Sequence, residues 1–127
     1  TSANNVVQLD GSSRLPAVDG SQLTNLPGVS NPTVTSASPS GAYTISTHAG
    51  IEEIYILTPS ADISVNLPSA SSCGSGYKYQ IKNMASANTL TIDPNSTETI
   101  DGSTTFVLNV QYQSITIITD GSNWFII

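Results

Sequence analysis

From Tyr43 to Ile127 apolar and polar residues alternate in short runs, and no stretch keeps a helical period. Ile63, Val65 and Leu67 alternate with polar residues and stop at Pro68. Tyr77, Tyr79 and Ile81 alternate with Lys78, Gln80 and Lys82, the pattern of a strand with one face buried. Leu90 and Ile92 alternate with Thr89 and Thr91 before Asp93-Pro94, and Phe106, Leu108 and Val110 form another such set. Residues 114–119 and 124–127 flank Asp120-Gly121-Ser122-Asn123, a hairpin signal that pairs the apolar C-terminal residues with Ile115, Ile117 and Ile118. Residues 43–47 and 51–58 add two strands, so about eight are expected. The predicted fold is all-β: a small antiparallel sandwich or jelly-roll-like head, with a small barrel as the alternative.

Residues 1–41 follow another rule. Val7, Leu9, Leu15, Val18, Leu23 and Leu26 stand singly among Ser, Asn, Gly, Pro and Asp. Leu9-Asp10-Gly11-Ser12 and Val18-Asp19-Gly20-Ser21 repeat a turn signal, and the Leu15-Pro16 and Leu26-Pro27 pairs punctuate it. So few apolar residues cannot offset the ordering cost of about 1–2 kcal/mol per residue within one chain. The stretch is either a flexible linker or an extended stalk in which three copies pool these six residues as trimer contacts. Residues 29–41, with Pro32 and Pro39, read as a hinge, giving a stalk over 1–41 and a head over 42–127.

Composition sharpens the picture. Only 9% of residues are charged, and 20 Ser, 15 Thr and 10 Asn supply the polar surface, while Ile and Val number 21 against 8 Leu. β-branched side chains suit a pleated sheet. The net charge is −6, with Arg14, Lys78 and Lys82 the only cations, too few and too scattered to grip phosphates or an anionic membrane surface. Nucleic acid and membrane insertion are therefore not expected, and no run of about 18 apolar residues occurs. Cys73 is the only cysteine, which fits assembly in a reducing cytoplasm and excludes an intrachain disulfide. The chain starts at Thr1, as a processed product or the ordered part of a longer polypeptide would.

Residues 6–27 resemble the spacer of tailed-bacteriophage fibre proteins. Asn66-Leu67-Pro68, Thr91-Ile92-Asp93, Glu98-Thr99-Ile100-Asp101-Gly102-Ser103 and Thr119-Asp120-Gly121-Ser122-Asn123-Trp124 resemble a β module of phage fibre and head-decoration proteins. The resemblance implies a homotrimeric structural virion protein without catalytic residues or cofactors, assembled with other virion proteins. Its leading form is the C-terminal part of a tail fibre that attaches to a host-surface glycan or protein. The alternative form is a capsid decoration or head-fibre protein projecting from the shell.

Catalytic and metal-binding constellations are not expected. His48 is the only histidine and sits at a strand end, where a turn histidine is the simpler reading than a triad base or a threefold metal ligand. Cys73 has no neighbouring cation and reads as an inert loop thiol. Glu52 and Glu53 are adjacent, so a strand sends them to opposite faces rather than opposing them as glycosidase carboxylates. Asp10, Asp19, Asp101 and Asp120 each precede Gly and are explained by turns. Tyr43, Tyr55, Tyr77, Tyr79, Tyr112 and Trp124 are read mainly as packing residues, and loops 71–76, 84–88 and 93–98 as candidates for ligand contact. The receptor-binding residues themselves are not legible.

Overall fold

A computed structural model describes residues 31–46 and 50–127. The strands are β1 (Thr33–Ala37), β2 (Tyr43–Thr44), β3 (Glu52–Leu57), β4 (Ile63–Asn66), β5 (Lys78–Asn83), β6 (Leu90–Asp93), β7 (Phe106–Leu108), β8 (Ser114–Thr119) and β9 (Trp124–Ile126). One short helix, α1 (Ala70–Cys73), lies between β4 and β5. The sheets are β1-β3-β5-β8-β9 and β2-β4-β6-β7. Their inner faces share one core, so the all-β expectation holds, with two open mixed sheets and no barrel.

The antiparallel expectation is corrected. The chain crosses between the sheets after each of its first five strands, so the next strand in a given sheet arrives one full coil later, running the same way. β1 pairs parallel with β3 and β3 with β5, while β2 pairs parallel with β4 and β4 with β6. Only then does the chain turn back: β7 runs antiparallel to β6, β8 to β5, and β9 to β8. Alternation reports which face a residue takes, not the direction of its partner, so the sequence pattern was blind to this.

Within strands the alternation was read correctly. β5 buries Tyr79, Ile81 and Asn83 and turns Lys78, Gln80 and Lys82 outward. β3 buries Glu53, Tyr55 and Leu57, and β8 buries Ile115, Ile117 and Thr119. Leu57, Val65, Tyr79, Ile81, Leu90, Ile92, Leu108, Ile117 and Trp124 lose all solvent contact. β-branched and aromatic side chains fill the space between the sheets, and each aliphatic contributes about 1.5–3 kcal/mol by leaving water.

Three local readings differ. Thr33–Ala37, inside the stretch read as a hinge, forms the edge strand β1, because its backbone bonds to β3 although its side chains are small and mostly polar. Val110 leaves the alternating set and is exposed in a loop after β7. In the apolar C-terminus only Trp124 is buried, while Phe125, Ile126 and Ile127 are exposed. The predicted hairpin does form, with Ile117 opposite Ile126, Ile118 opposite Phe125 and Thr119 opposite Trp124, but Ile115 lies beyond its end and pairs only with Ile81 of β5.

The turns follow their residues. Asp101 and Gly102 take φ of 48° and 81°, the two positive angles of a primed turn, which joins Ile100 to Ser103. At the β8–β9 hairpin the Asp120 carboxylate accepts from the backbone N–H groups of Asn123 and Ser122, at 2.8 and 2.7 Å. These donors hold the Asp120 carboxyl below its ordinary range. Its contribution is therefore present above the unfolded-state pKa and fades as pH falls through the folded one.

Candidate functional site

The sequence candidates resolve mostly into structure. Val7, Leu9, Leu15, Val18, Leu23, Leu26 and His48 lie outside the described residues. Glu52 and Glu53 part as expected: Glu52 faces outward, 3.9 Å from Lys78, whereas Glu53 is buried and accepts a hydrogen bond from the Tyr55 hydroxyl. Cys73 ends α1 with its sulfur 3.6 Å from the Tyr79 hydroxyl. Burial pushes the thiol up, away from the nucleophilic thiolate form, and the phenol of Tyr79 is raised by the same cause. Tyr43, Tyr55, Tyr79 and Trp124 stack in series through the core, with successive ring centroids 6.0, 6.0 and 5.5 Å apart.

All three candidate loops are held by hydrogen bonds to the scaffold. In loop 71–76 the Ser69 side chain caps α1 by accepting from Ser72 N–H. Loop 93–98 ends in Glu98, whose carboxylate accepts from Ala70 N–H at 2.9 and 3.1 Å and from Trp124 Nε1 at 3.2 Å. That one side chain joins the helix, the loop and the last strand. Loop 84–88 hangs from Asn83, whose Nδ2 donates to the Asn88 and Leu108 carbonyls while its Oδ1 accepts from Ala85 N–H.

The feature that sequence reasoning missed is the loop 109–113 between β7 and β8. Gln113 Oε1 accepts from the backbone N–H groups of Asn109 and Val110, at 3.0 and 3.2 Å, and Gln113 N–H donates to the Val110 carbonyl. Tyr112 N–H donates to the Asn83 carbonyl at 2.7 Å, and Asn83 N–H donates to the Gln113 carbonyl at 2.9 Å. The Gln111 amide donates to the Met84 carbonyl and Lys82 Nζ to the Tyr112 carbonyl, each at 3.2 Å. Tyr112 itself has φ of 66°, in the left-handed region that a bulky side chain rarely enters. The residue is 58% exposed, with the Lys82 ammonium 5.9 Å from its ring centroid. Of the five tyrosines it is the one presented to solvent rather than packed in the core. Nothing in Asn-Val-Gln-Tyr-Gln announces this, because glycine or asparagine, not tyrosine, ordinarily signals a positive φ.

No protein-family model, no curated protein and no solved structure matches this chain. Its functional reading therefore rests on its own residues. Among the described residues there is no cavity and no grouping of three or more His, Cys, Asp or Glu side chains that could hold a metal. No described helix is long and apolar enough to cross a membrane. The chemistry on offer lies on surfaces: the open sheet edges, the outer face of the five-stranded sheet, and the Tyr112 loop.

Proposed function

We propose that this chain is a non-enzymatic structural component of a bacteriophage particle, the C-terminal part of a trimeric tail fibre that engages the host surface. The observation that carries the reading is the contrast between the two edges of the larger sheet. The β9 edge is guarded: Trp124 N–H donates to the Thr99 carbonyl, Asp101 N–H to the Trp124 carbonyl, and Ile126 N–H to the Asp101 carboxylate. β1 has no such guard among the described residues. Thr58 N–H donates to the Ala37 carbonyl, so by the alternation of a parallel ladder Ala37 and Thr35 bond toward β3 while Val34 and Ser36 turn their backbone groups outward.

A five-residue edge without charge, proline or bulge is normally covered by something. It is also where the chain enters the head from its N-terminal region, so copies gathered along residues 1–30 would bring their β1 edges together. Outward-facing apolar residues extend the patch: Val34 lies opposite Ile54, and Ile56 sits two residues further along β3. In a chain of net charge −6 this uncharged edge is a place where copies meet with little repulsion.

Light scattering on the full chain is expected to give about three times the 13.2 kDa chain mass. A monomer at micromolar concentration would remove the trimer from the proposal. Gold-labelled antibody against the chain is expected to mark the tail tip of virions. Label on the shell instead would make the protein a capsid decoration or head fibre.

A further inference from the structure

The geometry points to the Tyr112 loop as a binding site for acidic polysaccharide, with Tyr112 as the stacking platform and Lys82 as the carboxylate contact. This rests on the reading of the chain as a host-attachment protein and names the site and ligand class within it.

Three independent observations converge there. The first is strain. A tyrosine at φ of 66° sits in a conformation that disfavours its side chain, and such residues persist where the surrounding structure over-determines them, often at binding sites. The second is rigidity. Both termini of the loop and its Gln111 and Gln113 side chains are hydrogen-bonded, so the ring is held out by a fixed frame and loses little freedom on binding. The third is charge. Lys82 spends one N–H on the Tyr112 carbonyl, and the ion pair among the described residues belongs to Lys78 and Glu52, not to Lys82. An ammonium has three donors, so Lys82 keeps two for a ligand.

These properties select a ligand class. The exposed face of Tyr112 is an electron-rich plane that suits the positively polarised C–H face of a sugar ring. The Lys82 ammonium, over the ring at 5.9 Å from its centroid and with donors left after its bond to the Tyr112 carbonyl, suits a carboxylate on that same sugar. Val110, 60% exposed on the same loop, adds apolar contact without closing a pocket, as a polymer running across the surface requires. A uronic-acid polymer meets all three demands, whereas a neutral glucan offers the remaining Lys82 donors only uncharged hydroxyl acceptors.

The test measures binding of the full chain to immobilised polygalacturonate, alginate and neutral dextran. The wild-type chain is expected to bind both polyuronates at least tenfold more tightly than dextran, with binding weakened by salt. Tyr112→Gly removes the ring and relieves the left-handed strain, so it is expected to melt no lower than the parent yet lose at least tenfold in polyuronate binding. Tyr112→Phe keeps the platform and is expected to bind like wild type. Lys82→Met is expected to erase the preference for polyuronate over dextran. Equal binding to dextran and the polyuronates, no binding to either, or full binding by a folded Tyr112→Gly chain would overturn the inference. Virion labelling is unaffected by these outcomes, so a labelled tail tip with no polyuronate binding leaves the fibre reading standing and sinks only this site.

Discussion

Replacing Trp124 with Ala is expected to destabilise the head by about 3–5 kcal/mol. Trp124 is fully buried, its ring packs 5.5 Å from that of Tyr79, and its indole N–H donates to Glu98. The substitution opens a cavity at one end of the aromatic series and takes from Glu98 one of the donors that satisfy its carboxylate. A domain is held by only about 5–15 kcal/mol in total, so the loss is a large share of the margin. For a head of this size each kcal/mol moves the melting temperature by about 4–8 °C, and a drop of at least 12 °C is expected by circular dichroism or calorimetry. Trp124→Phe keeps most of the apolar volume and is expected to lose less than half as much. Ile127→Ser, at a residue 68% exposed, is expected to change stability by less than about 0.5 kcal/mol. A Trp124→Ala protein that melts within two degrees of the parent would mean that the last strand does not anchor the core.

Asn83→Leu is expected to be nearly as damaging, through a different cause. The number of side-chain heavy atoms is kept, so the effect reads mainly the lost hydrogen bonds, with some strain from the bulkier leucine. Asn83 is fully buried and its amide serves Asn88, Leu108 and Ala85 at 2.9, 3.1 and 3.0 Å. Leucine strands a buried carbonyl and a buried N–H, each worth about 1–3 kcal/mol when left without a partner. A loss of about 3 kcal/mol in urea unfolding is therefore expected, and a loss under 1 kcal/mol would show that water takes over the amide's role. Asn83→Asp adds a pH signature. The new carboxylate would face two carbonyls in a buried site, so its folded pKa is raised above the unfolded value of about 3.9. Its penalty is then full above the raised pKa and shrinks as pH falls toward 4, so this variant gains on the parent in mild acid.

Much of the head was legible because burial on a sheet obeys a period of two. That period put Tyr79 and Ile81 inside, Lys78 and Lys82 outside, and Glu52 and Glu53 on opposite faces. It failed where side chains are not what makes the strand. β1 reads as a linker because Thr-Val-Thr-Ser-Ala offers its backbone, not an apolar face, to β3. α1 is too short to show a helical repeat, and is fixed instead by the Ser69 cap and by Glu98, which comes 28 residues after Ala70. Asn83 follows the alternating run with nothing in its type to mark burial, and only the return of loop 84–88 and β7 around it reveals a buried hub. Tyr112 was hidden for a related reason: its left-handed backbone is imposed by bonds from Asn83 and Lys82, residues about thirty positions away.

The crossing of the chain between two sheets has a consequence for biogenesis. On a ribosome a strand can pair only with what has already been made. β3 can dock on β1 and β5 on β3 as each coil emerges, because every new parallel strand lies one coil behind its partner. β5 then waits with its far edge bare until β8 arrives, since Lys82 meets Ser114 and Lys78 meets Ile118. Closure of the larger sheet thus comes after its other strands have been made, completed by the hairpin that brings in Trp124. In the larger sheet a stalled or truncated product displays two bare edges, β1 and β5, where the finished sheet leaves only β1 unguarded among the described residues. Such products are the ones expected to aggregate, and the integrity of the β8–β9 hairpin serves as a check on the completeness of the larger sheet.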